Sequence, residues 1–236
     1  MLMTISPQPK ERPILFSAPM VRAILEGRKT VTRREIKTRM RSADTSFELH
    51  QQPDGSWRPM HTFDESCMDD QGTEHPITCP YGKPGDRLWL RETTEIDEQT
   101  SDCVALSRYA ADGAPVLYSG CEDPVFNGTV AHWDYPRRSR PSIHMQRWAC
   151  RILLEITAVR VERLQDISEA QARAEGIDLD RLADGQAAYD MVADHNMTGR
   201  PTATGAFRDL WASINGIENW NANPWVWVVE FKQVTP

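Results

Sequence analysis

The hydrophobic pattern of the chain predicts five or more strands, including weak strand patterns at 105–109 and 115–118. Apolar residues run together at 13–16 and alternate with polar residues at 87–92, as is typical of short strands. The longest strand pattern spans 150–164 and is rich in Ile, Leu, Val and Thr. A closing strand at 225–231 is so apolar that both of its faces are expected to be covered.

Three short helices are predicted between these strands. An apolar stripe that follows Pro19 predicts a helix ending at Gly27, because glycine readily adopts the backbone conformation that terminates a helix. The residues at 168–171 have the form of a capping box and predict a second helix that ends at Gly176. A one-sided apolar stripe at 207–214 predicts the third helix.

Strands outnumber alternating strand–helix units, which favours an α+β fold over a doubly wound sheet. We expect a small mixed β-barrel surrounded by short helices. Residues 1–11 are expected to form a flexible tail, and residues 12–233 a single domain. Three polar stretches are expected to be irregular insertions in this domain, at about 41–79, 93–135 and 178–205.

The composition fits a folded protein, with 40% hydrophobic and 26% charged residues in a chain of 236. No apolar stretch approaches the length of a transmembrane helix, and residues 1–13 are too polar and proline-rich for a signal peptide, so a cytoplasmic location is expected. The sequence has no P-loop, dinucleotide-binding, HExxH, nucleophile-elbow or kinase motif. Those classes of enzyme are therefore excluded.

The five cysteines form no CxxC pair, and free thiols are the expectation in a reducing cytosol. A zinc site can be imagined from four residues, His61, Cys67, His75 and Cys79. Their spacing fits no standard structural zinc motif, so neither a metal nor a cofactor is predicted.

Cations are concentrated in two segments, although the formal net charge is -7. Residues 10–41 contain ten Lys or Arg and three Glu, and residues 137–151 contain five Arg and no acidic residue. If the segments meet, they form a basic face that attracts polyanions. If they do not, they are two separate solvated surfaces.

The most basic stretch, residues 27–34, also holds the sharpest candidate site. Lys29 precedes Thr32 by three residues and is crowded by arginines, whose like charge should lower the pKa of its amine. Such a lysine can act as a base and Thr32 as the nucleophile. Alternatively, the cations bind phosphate and the threonines bond the backbone. The local sequence alone favours this binding interpretation.

Glu175 is expected at the end of the second helix, where the helix dipole should raise the pKa of its carboxyl group, as a general acid requires. From spacing alone, a solvent-facing glutamate is the favoured interpretation, and Glu92 is a rival carboxylate. Trp89 and Trp148 lie beside arginines and are candidates for a pocket that stacks on bases. Trp211 is expected in the core.

Four segments in this order resemble the ASCH family of PUA-like domains, especially its longer members in phages and prophages. They are GRKTVTRR at 27–34, YGKPGDRLWLRE at 81–92, ISEAQARAEGI at 167–177 and WVWVVEF at 225–231. Each motif alone is weak, whereas their combined order is specific. The resemblance covers most of residues 12–233 and implies a PUA-like β-barrel whose helices surround a cleft for RNA or a nucleoside.

Small ASCH proteins that hydrolyse N4-acetylcytidine use a lysine, a threonine three residues later and a glutamate from the helix after the long strand. The resemblance therefore implies that Lys29 is the base, Thr32 the nucleophile and Glu175 the proton donor. In this chain the Thr-x-Arg ending of the first motif reads Thr-Arg-Arg. The residues expected to bind substrate are Arg28, Arg33, Arg34, Asp86, Trp89, Arg91, Glu92, Arg147 and Trp148.

Taken together, the sequence favours a hydrolase that cleaves the amide of an N4-acylated cytidine or a similar modified base. One alternative is a ribonuclease, in which Lys29 and its neighbouring arginines stabilise a phosphorane-like transition state. Another is a non-catalytic RNA-binding module, which needs the basic face but not Thr32. The expected partner is a nucleoside or RNA, single-stranded rather than duplex, with no role for a membrane.

Overall fold

The computed structural model of the protein describes residues 8–37, 45–63, 75–97, 106–116, 139–192 and 199–235. The chain divides into two compact units, and each is assembled from separate segments. The first unit comprises Met1–Gly27, Gly85–Glu155 and Lys232–Pro236. The second unit comprises Arg28–Pro84 and Ile156–Phe231.

Strands and helices alternate irregularly along the described residues. The strands are β1 (Glu11–Leu15), β2 (Val31–Glu35), β3 (Thr45–Gln51), β4 (Trp57–Phe63), β5 (His75–Pro76), β6 (Arg87–Arg91), β7 (Thr94–Asp97), β8 (Leu106–Tyr109), β9 (Leu153–Arg163) and β10 (Trp225–Val234). The α-helices are α1 (Ala18–Leu25), α2 (Glu169–Ala174), α3 (Leu179–Val192), α4 (Ala203–Asn215) and α5 (Ile217–Asn221). Three single-turn 3-10 helices lie at Ser142–His144, Arg147–Ala149 and Leu164–Asp166.

The first unit is built on the strand order β1-β6-β9. β1 runs parallel to β6, with Ile14 opposite Leu90, and β6 runs antiparallel to β9, with Leu88 opposite Leu154. These four side chains are buried because they share the covered face of their strands. A separate antiparallel hairpin joins β7 to β8.

The second unit contains two sheets, one of order β9-β10-β2 and one of order β3-β4-β5. β9 passes from the first unit into the second at Glu155. β2 is antiparallel to β10, and Val31 of β2 packs with Val228 of β10, Phe207 and Trp211 of α4 in the core of this unit. The helices thus cover one face of the β2–β10 pair.

The predicted fold class, α+β, is confirmed, and five predicted strands correspond to β1, β6, β8, β9 and β10. The weak strand pattern at 115–118 gives no strand at 115–116, and its other two residues lie outside the described residues. The three predicted helices are α1, α2 and α4, although α4 begins earlier than expected, at Ala203. The described strands form no closed barrel, because β1 is an edge of the sheet in the first unit and β2 is an edge in the second.

The described parts of the three stretches are more regular than expected, and their description as insertions stays a prediction. The first stretch forms β3, β4 and β5, the second contains the β7–β8 hairpin, and the third contains α3. The turn between β3 and β4 is set by Asp54, whose carboxylate accepts a bond of 2.9 Å from the Ser56 backbone, and by Gly55 at a φ of 82°. The rest of these stretches lies outside the described residues.

α3 has no apolar stripe that a sequence pattern could reveal. Leu182 is its buried residue, and Asp178 stabilises its first turn by accepting a bond of 3.0 Å from the Arg181 backbone N–H. The cap and the burial of Leu182 therefore help to stabilise a helix that has no apolar stripe. No helix among the described residues has both the length and the apolar character that a membrane span requires.

Candidate functional site

Backbone hydrogen bonds hold the segment that carries Lys29 between α2 and β10. The Thr30 N–H donates to Ala174 O at 2.9 Å, and Thr30 O accepts from the Phe231 N–H at 2.9 Å. Lys29 itself forms an isolated antiparallel bridge with Glu175. Backbone hydrogen bonds alone thus place Lys29 opposite the end of α2.

The local sequence of α2 places Glu175. Ser168 and Gln171 form the predicted capping box at the start of the helix. At the other end, the Glu175 N–H donates to Gln171 O at 3.0 Å, and Gly176 at a φ of 91° turns the chain away. Glu175 is therefore the C-cap residue, as predicted, and its side chain lies beside Lys29.

The Lys29 side chain is buried and surrounded by oxygen atoms. Its Nζ lies 2.8 Å from Glu175 Oε2, 2.8 Å from the Glu175 backbone O and 2.9 Å from Val31 O. An ammonium group has three N–H donors, so these contacts match its capacity. The resting site is therefore a buried lysine–glutamate ion pair, with 2% of Lys29 exposed.

Burial lowers the pKa of Lys29, because the charged amine loses its hydration. The carboxylate of Glu175 opposes this shift, and the charges of Arg34 and Arg33 add smaller shifts in the same direction as burial. The direction agrees with the sequence-based prediction. The main cause does not, because desolvation outweighs crowding by the arginines.

Glu175 is not the solvent-facing residue that its spacing alone favoured, because only 4% of it is exposed. Its second carboxylate oxygen, Oε1, accepts from Arg33 Nη1 at 3.3 Å. Arg33 Nη2 in turn donates to Glu162 Oε2 at 3.0 Å. We call these four residues, Lys29, Arg33, Glu162 and Glu175, the lysine cluster; all belong to the second unit.

Thr32 is buried in β2, opposite Val229 of β10. Side chains alternate along a strand, so Thr32 projects from the face opposite to that of Val31 and Arg33. Lys29 Nζ lies at the carbonyl of Val31, which is in the peptide group that joins Val31 to Thr32. No hydrogen bond to the Thr32 hydroxyl is found in the part of the chain that the structure describes.

The other arginines of the basic stretch differ in their surroundings. Arg28 donates through Nη1 to Gly176 O at 3.0 Å and so stabilises the carbonyl end of α2. Arg33 is 3% exposed, and both of its Nη atoms are engaged in ion pairs. Arg34 is half-buried and projects from the same face of β2 as Thr32.

The remaining predicted site residues belong to the first unit. Asp86 accepts from the Lys10 backbone at 3.1 Å and from Arg12 Nη1 at 2.8 Å. The guanidinium of Arg91 lies 5.3 Å from the centre of the Trp89 ring. Asp86 thus belongs to an ion pair, and Trp89 contacts Arg91, two residues later in the same strand.

Glu92, the rival carboxylate, is also buried and paired. Arg151 binds it through Nε at 2.9 Å and Nη2 at 2.8 Å, and binds Asp112 through Nη1 at 2.7 Å. The same guanidinium lies 3.9 Å from the centre of the Tyr109 ring. We call Glu92, Tyr109, Asp112 and Arg151 the arginine cluster. Burial raises the pKa of Glu92, and the bond from Arg151 lowers the pKa of Asp112.

The last two predicted residues lie on a single-turn helix of the first unit. Arg147 Nε donates to Glu11 Oε2 at 2.9 Å, and the Trp148 indole donates to Gln146. Trp148 also packs at the edge of a small core around Tyr109. Arg147 therefore connects this turn to β1, whereas Trp148 makes its hydrogen bond within the turn.

Many of the cations expected to form a basic face are neutralised by carboxylates. Ion pairs engage Arg12, Lys29, Arg33, Arg147 and Arg151. These pairs reduce the positive charge that either segment offers to a polyanion. Residues 38–41 and 137–138, which carry further cations, lie outside the described residues.

The imagined zinc site includes Cys67, which lies outside the described residues. His61 and His75 are opposite each other in the β4–β5 pair. Within the described ranges, no three His, Cys, Asp or Glu side chains are grouped so that they could hold a metal ion.

Sequence reasoning missed Glu162 and Arg151. Glu162 follows Arg160 at the strand spacing of two within β9, so both face the same side of the sheet. Oppositely charged residues at this spacing on the longest strand are a signal of ion pairs along one face of the sheet. Arg151 gave no such signal, because its partners Glu92 and Asp112 are distant in sequence.

Comparison of the chain with known proteins finds no matching family model, no matching curated protein and no matching solved structure. The resemblance to the ASCH family therefore stays a prediction.

Proposed function

We propose that the protein is an ASCH-type hydrolase of PUA-like fold, acting in the cytoplasm of a bacterial or phage-infected cell. Its substrate would be an N4-acylated cytidine or a similar modified base, free or in single-stranded RNA. The observation that carries this proposal is the buried contact of 2.8 Å between Lys29 Nζ and Glu175 Oε2. This contact joins a base and an acid by one hydrogen bond.

A proton that moves along this bond prepares both groups at once. Transfer from Nζ to Oε2 leaves Lys29 as a neutral amine, which can accept a proton, and Glu175 as a neutral acid, which can donate one. Burial favours the neutral pair, because two charges lose hydration when they are removed from water. The lowered pKa of Lys29 acts in the same direction.

The proposed reaction proceeds through an ester on Thr32. Lys29 takes the proton of the Thr32 hydroxyl, and Oγ forms a bond to the acyl carbon. The amide C–N bond breaks, and the leaving N4 amine takes the proton of Glu175. Water then attacks the ester: its proton returns to Glu175, Thr32 regains its proton from Lys29, and the carboxylic acid leaves.

The surroundings of Thr32 support its role as nucleophile. A threonine that serves the fold commonly uses its hydroxyl in a local hydrogen bond. The hydroxyl of Thr32 has no such bond among the described residues, although the residue is buried and only 3% exposed. No described residue therefore competes for this hydroxyl.

The test uses N4-acetylcytidine and a chromatographic measurement of released cytidine and acetate. The wild-type protein should hydrolyse it, and Lys29→Ala, Thr32→Ala and Glu175→Gln should each abolish the release. Thr32→Ser is the matched control, because it keeps a hydroxyl and should retain activity. Release that survives in all three variants contradicts the proposal.

Parallel incubations with RNA separate the alternatives. RNA cleavage without deacetylation favours a ribonuclease. RNA binding that falls steeply with salt, without turnover of either substrate, favours a binding module.

A further inference from the structure

Arg33 connects two carboxylates across the covered face of β2. Its Nη1 lies 3.3 Å from Glu175 Oε1, and its Nη2 lies 3.0 Å from Glu162 Oε2. The Arg33 side chain has no exposed surface, whereas 22% of the Glu162 side chain is exposed. Arg33 thus connects the proposed acid, Glu175, to a second carboxylate, Glu162, that is more exposed to solvent.

The chain of charges continues outward from Glu162. Its other oxygen accepts from Arg160, which also binds Glu230. The exposed fraction of the side chains rises along this series, from 31% at Arg160 to 42% at Glu230. Positive and negative groups alternate, so each charge partly neutralises the one before it.

Arg33 stands where packing alone would favour an apolar residue. It shares a face of β2 with Val31, and its guanidinium lies 6.0 Å from the centre of the Phe207 ring. Arg33 Nε is buried and makes no hydrogen bond among the described residues. Burying a guanidinium costs hydration energy, and an apolar pair at such a place is often as stable or more stable.

We propose that Arg33 and Glu162 form a positioning pair that sets how readily Lys29 gives up its proton. The positive charge of Arg33 opposes a proton on Lys29. The negative charge of Glu162 neutralises part of Arg33 and so weakens this effect. This inference deepens the proposed function and rests on it for its catalytic consequence.

The two members of the pair should act with opposite signs. Arg33→Met removes a positive charge near Lys29, so the pH at which Lys29 loses its proton should rise. Glu162→Gln leaves Arg33 less neutralised, so that pH should fall. The shift in Arg33→Met should be about one pH unit, the order that a neighbouring charge commonly produces, and the shift in Glu162→Gln should be smaller, because it acts through Arg33. The other cation that acts on Lys29, Arg34, is unchanged in both variants.

NMR titration of the lysine side chains measures this directly and needs no substrate. The sequence has five lysines, so protein labelled with 13C-lysine gives few Cε signals, and Lys29→Arg assigns the relevant one. Asp190→Asn is the matched control, because it removes an exposed ion pair of the same unit. Each side chain of that pair, Arg200 and Asp190, is 52% exposed. This variant should leave the titration of Lys29 unchanged.

Opposite shifts in Arg33→Met and Glu162→Gln support the positioning pair. Shifts in the same direction, or no shift in either, overturn it, because a merely structural role gives no opposite signs. If Arg33→Met fails to fold, Glu162→Gln decides alone, since its carboxylate is partly exposed, and only a lowered midpoint supports the pair. Because no substrate is present, absence of hydrolysis leaves this result intact. In an active enzyme, the acid limb of the pH–rate profile should move in the same two directions.

Discussion

The two units of the protein each bury a glutamate against cations, but they do so with different chemistry. In the arginine cluster of the first unit, both oxygens of Glu92 are held by Arg151, which also binds Asp112. In the lysine cluster of the second unit, the oxygens of Glu175 are divided between Lys29 and Arg33. Both carboxylates are almost fully buried, with 1% of Glu92 and 4% of Glu175 exposed.

The difference lies in which cation can release a proton. A guanidinium keeps its proton at any pH that a protein tolerates, so the arginine cluster can only hold its elements together. A buried lysine has a pKa that environment can lower, and the Lys29 amine can therefore alternate between acid and base. Burial of a carboxylate is thus not enough to indicate a reactive site. Its cationic partner must also be able to lose a proton.

The largest expected effect compares the two cations by exchange. Lys29→Arg keeps the positive charge beside Glu175 but removes the group that can lose a proton. We expect deacetylation of N4-acetylcytidine to fall by roughly 10²–10⁴-fold, the usual contribution of a general base. Arg151→Lys, the reciprocal exchange in the arginine cluster, should leave the rate close to that of the wild type. Equal losses in the two variants would show that the clusters do not differ as described.

The next effect concerns stability. Arg151→Ala leaves Glu92 buried without its cation, and loss of one partner from a buried pair lowers the free energy of unfolding by about 3 kcal/mol or more. Urea denaturation measures this change. Arg200→Ala is the control, because its pair with Asp190 is largely exposed and should contribute little. A small effect in both variants would mean that the arginine cluster is not a structural clamp.

The pH dependence of stability gives a signed comparison within the arginine cluster. The pKa of Glu92 is raised above its ordinary 4.5, so above that pH the folded state holds a proton that the unfolded state has lost. The free energy of unfolding therefore falls as pH rises from 4.5 through the raised pKa, and Glu92→Gln should flatten this slope.

Asp112 titrates in the opposite sense and serves as the control for that slope. Its pKa is lowered below 3.8, so its contribution to stability is present above 3.8 and is lost as the pH falls through the folded-state value. Asp112→Asn should remove that acid-side loss and leave the slope above pH 4.5 in place. Identical pH profiles for the two variants would contradict the assignment.

The smallest expected effect is on Thr32. Thr32→Val keeps the shape of the side chain, and the hydroxyl that it removes has no hydrogen bond among the described residues. The free energy of unfolding should change by less than about 1 kcal/mol, which is what a typical hydrogen bond contributes. Deacetylation should nevertheless be lost, whereas Thr32→Ser should preserve it. A clear loss of stability in Thr32→Val would indicate a structural hydroxyl.

The elements that the sequence predicts correctly are those with strong local signals. The capping box before α2 and the glycine after it place Glu175 at the helix end, because both depend on neighbouring residues. The apolar run in β10 identifies a covered strand for the same reason. α3 and the strands β3 and β4 lack a clear apolar pattern, although Asp54 and Gly55 are a local signal for the turn between the two strands.

The candidate site divides in a similar way. The spacing of Lys29 and Thr32 is local and could be noted from the sequence. The burial of Glu175 and its contact with Arg33 depend on pairing between segments more than a hundred residues apart. The role of Glu162 is harder still to predict, because the sequence does not indicate that an arginine of one strand pairs with a glutamate of another.

The most direct test of the central claim is to trap the acyl group on the protein. N4-acetylcytidine is mixed with the enzyme, the reaction is quenched with acid, and the digested peptides are mapped by mass spectrometry. The account predicts one acetyl group on the peptide that contains Thr32, and none in Thr32→Val. Cytidine release without an acetyl group on Thr32, or an acetyl group on Lys29 instead, would contradict it.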